Sequence, residues 1–153
     1  MTDRTLPTTC DRRRSLTRIV AVLAILALLA LPGLMSDALA ADDLEVSFEF
    51  AEENRGPDGP SPVIVVKAIP AGTVRLKVAL RDRERPTIRH GGGEVAVDGA
   101  SEFTIPSGAL TDSYKGPYPP RHETHRYTFA VSALDAGGKV LATGKAAANF
   151  DGK

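Results

Sequence analysis

Apolar residues recur at every second position along much of this chain, and that period predicts β-strands with one face on a core. Leu44, Val46, Phe48 and Phe50 alternate with Glu45, Ser47 and Glu49. Val63 to Val66 is aliphatic and β-branched throughout, which predicts a short, fully buried strand. Val74, Leu76, Val78 and Leu80 share one side, and Arg75, Lys77, Ala79 and Arg81 the other. Val95 and Val97 mark a further strand, and His125, Tyr127, Phe129, Val131 and Ala133 alternate with Arg126, Thr128, Ala130 and Ser132. Gly137-Gly138 predicts a hairpin turn, after which Val140, Ala142, Gly144, Ala146 and Ala148 run back. No segment holds a helical period over three turns, so the expected fold class is all-β, with about six to eight short strands in packed antiparallel sheets.

The breaks between these runs are rich in turn formers. Gly56, Pro57, Gly59, Pro60 and Pro62 make the Glu52 to Pro62 stretch a solvated connection, and Phe103 to Gly108, which contains Pro106, predicts another. In Tyr114 to Pro120, three prolines fix φ and remove backbone donors, while Gly116 admits backbone conformations closed to other residues. That loop is an ordered turn feeding the His125 strand.

The first forty residues read differently. Arg12, Arg13 and Arg14 precede an apolar run from Ile19 to Leu31, and Ala38-Leu39-Ala40 follows as a small-x-small cleavage pattern. This predicts a signal peptide over residues 1–40, cleavage near Ala40 and an exported, periplasmic or secreted domain over 41–153. The run falls short of the roughly 20 residues that a spanning helix needs, so an uncleaved anchor is the alternative. Arg13-Arg14 leaves both the general and the twin-arginine routes open. Cys10 departs with the leader, so the exported domain holds its fold without disulfides. The whole chain is neutral, and the leader carries five arginines (Arg4, Arg12, Arg13, Arg14, Arg18) against three aspartates (Asp3, Asp11, Asp37). The remaining domain is therefore two charges negative, which argues against a general nucleic-acid binder.

The candidate chemistry sits at strand ends. His125 points inward beside Tyr127 and Phe129, where its imidazole needs either an internal partner or a ligand. If the alternation of the Val74 strand continues, Asp82 and Glu84 also face inward and must be protonated, paired with a cation or open to a polar recess. If the strand stops at Arg81, residues 82 to 86 form an exposed charged loop instead. Arg83, Arg85 and Arg89 interleave with these acids. His90 precedes Gly91-Gly92-Gly93, whose backbone N–H groups suit either an anion or a plain flexible turn. No lysine-serine pair follows, so this is no nucleotide phosphate loop.

Taken in order, Ser61-Pro62, Ile69-Pro70-Ala71-Gly72-Thr73, Asp82-x-Glu84-x-Pro86, His90, Gly116-x-x-Pro119-Pro120, His125-Arg126-Tyr127 and Ala133-Leu134-Asp135 resemble the phosphatidylethanolamine-binding protein family. The nearest branch is that of the small bacterial Raf kinase inhibitor-like proteins. The resemblance implies a β-sandwich, here lacking the C-terminal helix of longer members, with a small anion pocket. Carried over by position, that pocket comprises Asp82, Glu84, Pro86, His90, Gly116, Pro120, His125 and Tyr127. Arg83 stands where the family loop has its first proline, Glu84 where it has its second aspartate, Gly91 where a tryptophan is usual, and His122 where a glycine is usual.

Three functions follow from these residues. The first is a non-enzymatic binding module for a phosphate-like anion or phospholipid headgroup, with His90 and His125 as donors and no cofactor. The second is docking of an acidic protein or a membrane on the basic stripe Arg75, Lys77, Arg81, Arg83 and Arg85. The third is a metal-dependent hydrolase using His90, His122 and His125 with Asp82 or Glu84. Against the third, there is no Gly-x-Ser-x-Gly and no cysteine nucleophile in the exported domain.

Overall fold

The structure is a computed structural model that describes residues 44–153. The leader, Cys10 and the cleavage point all lie outside the described residues. Seven strands follow one another: β1 (Glu45–Phe48), β2 (Ile64–Lys67), β3 (Arg75–Asp82), β4 (Arg89–Ala96), β5 (Glu102–Ile105), β6 (Thr124–Leu134) and β7 (Val140–Asp151). A single 3-10 turn at Glu52–Asn54 is the one helical element among the described residues. Strands β1-β2-β5 form a three-stranded sheet and β4-β3-β6-β7 a four-stranded one, with every pairing antiparallel.

The inward rows meet between the sheets. Ile64 and Val66 of β2 and Ile105 of β5 are fully buried against Leu76, Val78 and Leu80 of β3 and Phe129 and Val131 of β6. Aromatic rings close one end: Phe48 meets Phe129 edge-on at 4.8 Å between centroids, and Phe50 meets Phe150 at 5.5 Å. Edge-on packing places the positive rim of one ring on the negative face of the other, so the cluster orders this end of the core as well as burying area.

Three expectations need correcting. Phe103 to Gly108 is not merely a connection, because Glu102–Ile105 pairs with β2, its Ile105 opposite Ile64. Four residues with Pro106 just beyond them give too short a period to be read from sequence alone. Val63–Val66 is not buried throughout: Val63 is 48% exposed and Val65 half-buried, because β2 shows its second face to solvent. The glycines after His90 form neither an anion loop nor a flexible turn. They lie inside β4, and a β-carbon on Gly92 would collide with the Val78 carbonyl oxygen, as one on Gly91 would with that of Ser113. Small residues here let β3 and the 112–113 segment press against β4, with Gly92 and Asp112 exchanging two backbone bonds of 3.0 and 2.9 Å.

Gly92→Ala should therefore destabilise the fold by about 2 kcal/mol, the usual scale for forcing volume into packed backbone. Urea unfolding at neutral pH measures it. A variant within the error of the parent would show that β4 can shift without cost.

Candidate functional site

The candidate site lies where the end of β3, the starts of β4 and β6 and the 114–120 loop come together. Two loops brace one another there. Asn54 is buried, accepts the Ala51 N–H at 2.7 Å and donates to the Pro60 carbonyl at 3.0 Å, and Gly56 donates its N–H to the Pro117 carbonyl at 2.9 Å. A β-carbon on Gly116 would strike the Asn54 carbonyl oxygen, so this glycine serves close approach rather than an unusual φ. His90 fastens the other side: its backbone carbonyl accepts from the Lys115 N–H at 2.8 Å, and its Nδ1 donates to the Lys115 carbonyl at 3.0 Å.

Asp82 is the last residue of β3, and alternation turns it inward with 3% exposure. One carboxylate oxygen accepts the N–H groups of Glu84 and Arg85 at 2.9 and 3.0 Å, while the other meets His125 Nδ1 at 2.7 Å. The second nitrogen of His125 meets Glu123 Oε2 at 2.9 Å. A neutral imidazole donates at only one nitrogen, so an acceptor carboxylate at each makes this ring an imidazolium. Burial by itself lowers the His125 pKa, but the bonds to Asp82 and Glu123 outweigh it and the net shift is upward. For Asp82, burial raises the pKa, and the His125 bond with the two amides reverses it, so the net shift is downward. The pair is charged, with the carboxylate as the orienting group.

His90 is the complement of His125. With Nδ1–H given to Lys115, its Nε2 is buried without a hydrogen-bond partner. The ring stands 5.3 Å from each of the Tyr118 and Tyr127 rings. Burial, and after it the Asp82 carboxylate, pushes the Tyr127 phenol above its ordinary value, so that hydroxyl stays protonated.

The residues expected at the site divide into two groups. Asp82, His90, His125 and Tyr127 cluster together and are almost fully buried. Glu84 faces solvent, because the chain turns after β3; its carboxylate accepts the Arg126 N–H at 2.7 Å. Pro86 is exposed and lines one cleft with His90. Gly116 braces the loops from behind, and the Pro120 carbonyl accepts from the Glu123 N–H at 3.0 Å, holding the turn before β6. His122 is exposed, with φ of 67°, and takes no part in the one cluster of potential metal ligands among the described residues, Asp82, Glu84 and His125.

Two residues escaped the sequence reading. Glu123 lies two before His125, so strand parity alone puts the pair on one side. Tyr118 covers His90 while remaining 37% exposed. Proline-rich loops have no period from which such a placement could be read.

The molecule is a two-sheet antiparallel sandwich with a buried histidine-carboxylate pair at one end, an architecture that does not by itself name a function. Residues 36–151 match the family model described as phosphatidylethanolamine-binding protein, and the chain belongs to that family. Among solved structures it is similar to Escherichia coli YbcL, described as a member of the mammalian family of that name, at 17% identity and a TM-score of 0.53, covering 72% of this chain and 99% of that one. A homologue from Chlamydia trachomatis, CT736, aligns at 19% identity and a TM-score of 0.44, over 73% of this chain and 99% of that one. Among curated proteins, none matches.

Proposed function

We propose that this chain is an exported, non-enzymatic binding protein that holds a small phosphate-like anion, free or as a lipid headgroup, in the recess between His90, His125 and Tyr127. The observation that carries the reading is His90 Nε2, a ring nitrogen 1% exposed at the residue level and without a partner. Leaving such a group unmet costs about 1 to 3 kcal/mol, and a ligand that meets it recovers that cost. Protonated at Nε2, the ring donates a charge-assisted bond to an oxyanion. The His125 imidazolium adds a second positive charge, and the Tyr127 hydroxyl a neutral donor.

Two movable side chains guard this recess. Tyr118 overlies His90, and the half-exposed Glu123 carboxylate occupies His125 Nε2, with an Arg85 guanidinium nitrogen 3.8 Å away. An incoming anion displaces Glu123 and takes its place. The metal-dependent hydrolase has less support, since Asp82 and His125 already satisfy one another and Glu84 faces solvent, where it accepts the Arg126 N–H.

Calorimetric titration with inorganic phosphate and with phosphoethanolamine tests the assignment. The parent should bind, and His90→Asn, whose NH2 takes the position of Nδ1 and can still donate to the Lys115 carbonyl, should bind about tenfold more weakly, the value of one charge-assisted hydrogen bond. Equal heats from both proteins would remove His90 from the site.

A further inference from the structure

Two clefts open along the outward face of β3. One, of 610 Å³, lies along the β3-β4 hairpin between Ala79, Arg81, Pro86 and Arg89 and reaches His90. The second, of 320 Å³, runs across β3, β6 and β7 between Arg81, Arg83, Thr128, Ala130 and Lys145. They share Arg81 and Pro86 and so form two lobes of one trough. Register explains its shape. Ala79 pairs with Ala130, which pairs with Lys145, and Arg81 pairs with Thr128. The floor is thus made of small side chains, and the cations rise from its rim.

These cations differ from the others on the same sheet. Arg75 and Lys77 are tied to Glu94 at 3.3 and 3.4 Å, and Arg85 lies beside Glu123. Arg81, Arg83, Arg89 and Lys145 are exposed, and none of them has an ion-pair partner among the described residues. The one carboxylate in the lining is Asp82, whose oxygens are already committed to His125 and two amides. The structure therefore gathers four positive charges around a concavity, with no counter-charge paired to them among the described residues.

We propose that this trough, lined by neither His125 nor Tyr127, is a second binding site, for an anion carrying at least two phosphate groups. Stoichiometry of charge selects the ligand. One phosphate monoester carries about 1.5 to 2 negative charges at neutral pH, so two are needed to balance four cations. Size agrees, since the larger lobe falls within the roughly 300 to 1,000 Å³ of small-molecule sites. Arg81, common to both lobes, bridges the two phosphates, and Arg89 and Lys145 hold the outer ends. A soluble bisphosphate and a lipid headgroup with two phosphates offer the same chemistry.

Titration of the protein with inorganic pyrophosphate, beside flotation with phosphatidylcholine vesicles with and without diphosphatidylglycerol, decides between them and tests the site. The double variant Arg89→Ala with Lys145→Ala should weaken binding about tenfold or more, by loss of charge-assisted contacts. Arg75→Ala with Lys77→Ala removes the same charge from the same sheet face and should change it by no more than about twofold, as expected of cations already paired at the surface. Tyr127→Phe, which lies outside the trough lining, should leave pyrophosphate binding unchanged. Binding of pyrophosphate alone identifies a soluble ligand, and binding that needs diphosphatidylglycerol vesicles identifies a lipid. Equal losses in the two double variants would reduce the trough to a diffuse field, and a parent that binds neither probe would overturn the proposal.

Discussion

Asp82→Asn should cost about 3 to 5 kcal/mol of stability, the scale for removing one partner of a buried ion pair. The change keeps side-chain volume, so packing is not at issue. Asparagine has one acceptor oxygen where the carboxylate served three donors: the amides of Glu84 and Arg85 and the Nδ1–H of His125. It also presents an NH2 group to one of them. The imidazolium is left buried with only the half-exposed Glu123 as counter-charge.

The same pair sets a pH profile. Asp82 has a lowered pKa in the folded protein, so its contribution is present above the ordinary carboxylate range and is lost as pH falls below that range through the lowered folded value. His125 has a raised pKa, so its contribution is complete below about 6.5, the ordinary histidine value, and is lost as pH rises through the folded value. Stability contributed by the pair should peak between those limits. Urea midpoints measured across acid to mildly alkaline pH should trace that dome in the parent, and the Asn variant should be both lower and flatter. A variant with the parent's midpoint and profile would show that the pair contributes nothing net.

Glu123→Ala should raise affinity for inorganic phosphate by a factor on the order of ten to a hundred, because the parent spends a charge-assisted bond of about 1.5 to 3 kcal/mol on its own carboxylate. Glu123 is 2.9 Å from His125 Nε2 and half exposed, so its removal opens a donor without emptying the core. Loss of one of two neighbouring carboxylates should also lower the His125 pKa, which histidine ring resonances report directly. Unchanged affinity with a lowered pKa would remove Glu123 as the gate while leaving the recess in place. Loss of affinity would mean that Glu123 contacts the ligand instead of excluding it.

Legibility followed the period of the backbone. In β3, strict alternation placed Leu76, Val78, Leu80 and then Asp82 inward, because a strand has only two faces and the apolar row chooses between them. In β6 the same logic aimed His125 and Tyr127 at the core. The logic failed one residue past the strand. Glu84 would face inward on an extended chain, but Arg83 is the last residue to bond across to Arg126, and the turn to Ile88 carries the Glu84 side chain into solvent. It failed also for the glycines of β4. Their composition looks like a loop, and only the nearness of Val78 and Ser113 explains three small residues inside a strand.

Local chemistry along the chain was enough to specify an all-β sandwich, its inward rows and a histidine and an aspartate at strand ends, since each rests on a period of two or on the constraints of proline. The antiparallel fold brings Asp82 and His125 within 2.7 Å across forty-three residues of sequence. It also closes the recess with Glu123 and Tyr118, and it leaves Arg81, Arg83, Arg89 and Lys145 around a common trough while their neighbours find acids. Which charges end up paired depends on strand register and on where each turn releases its side chains. Those are properties of the packed sheets, and no stretch of the chain carries them by itself.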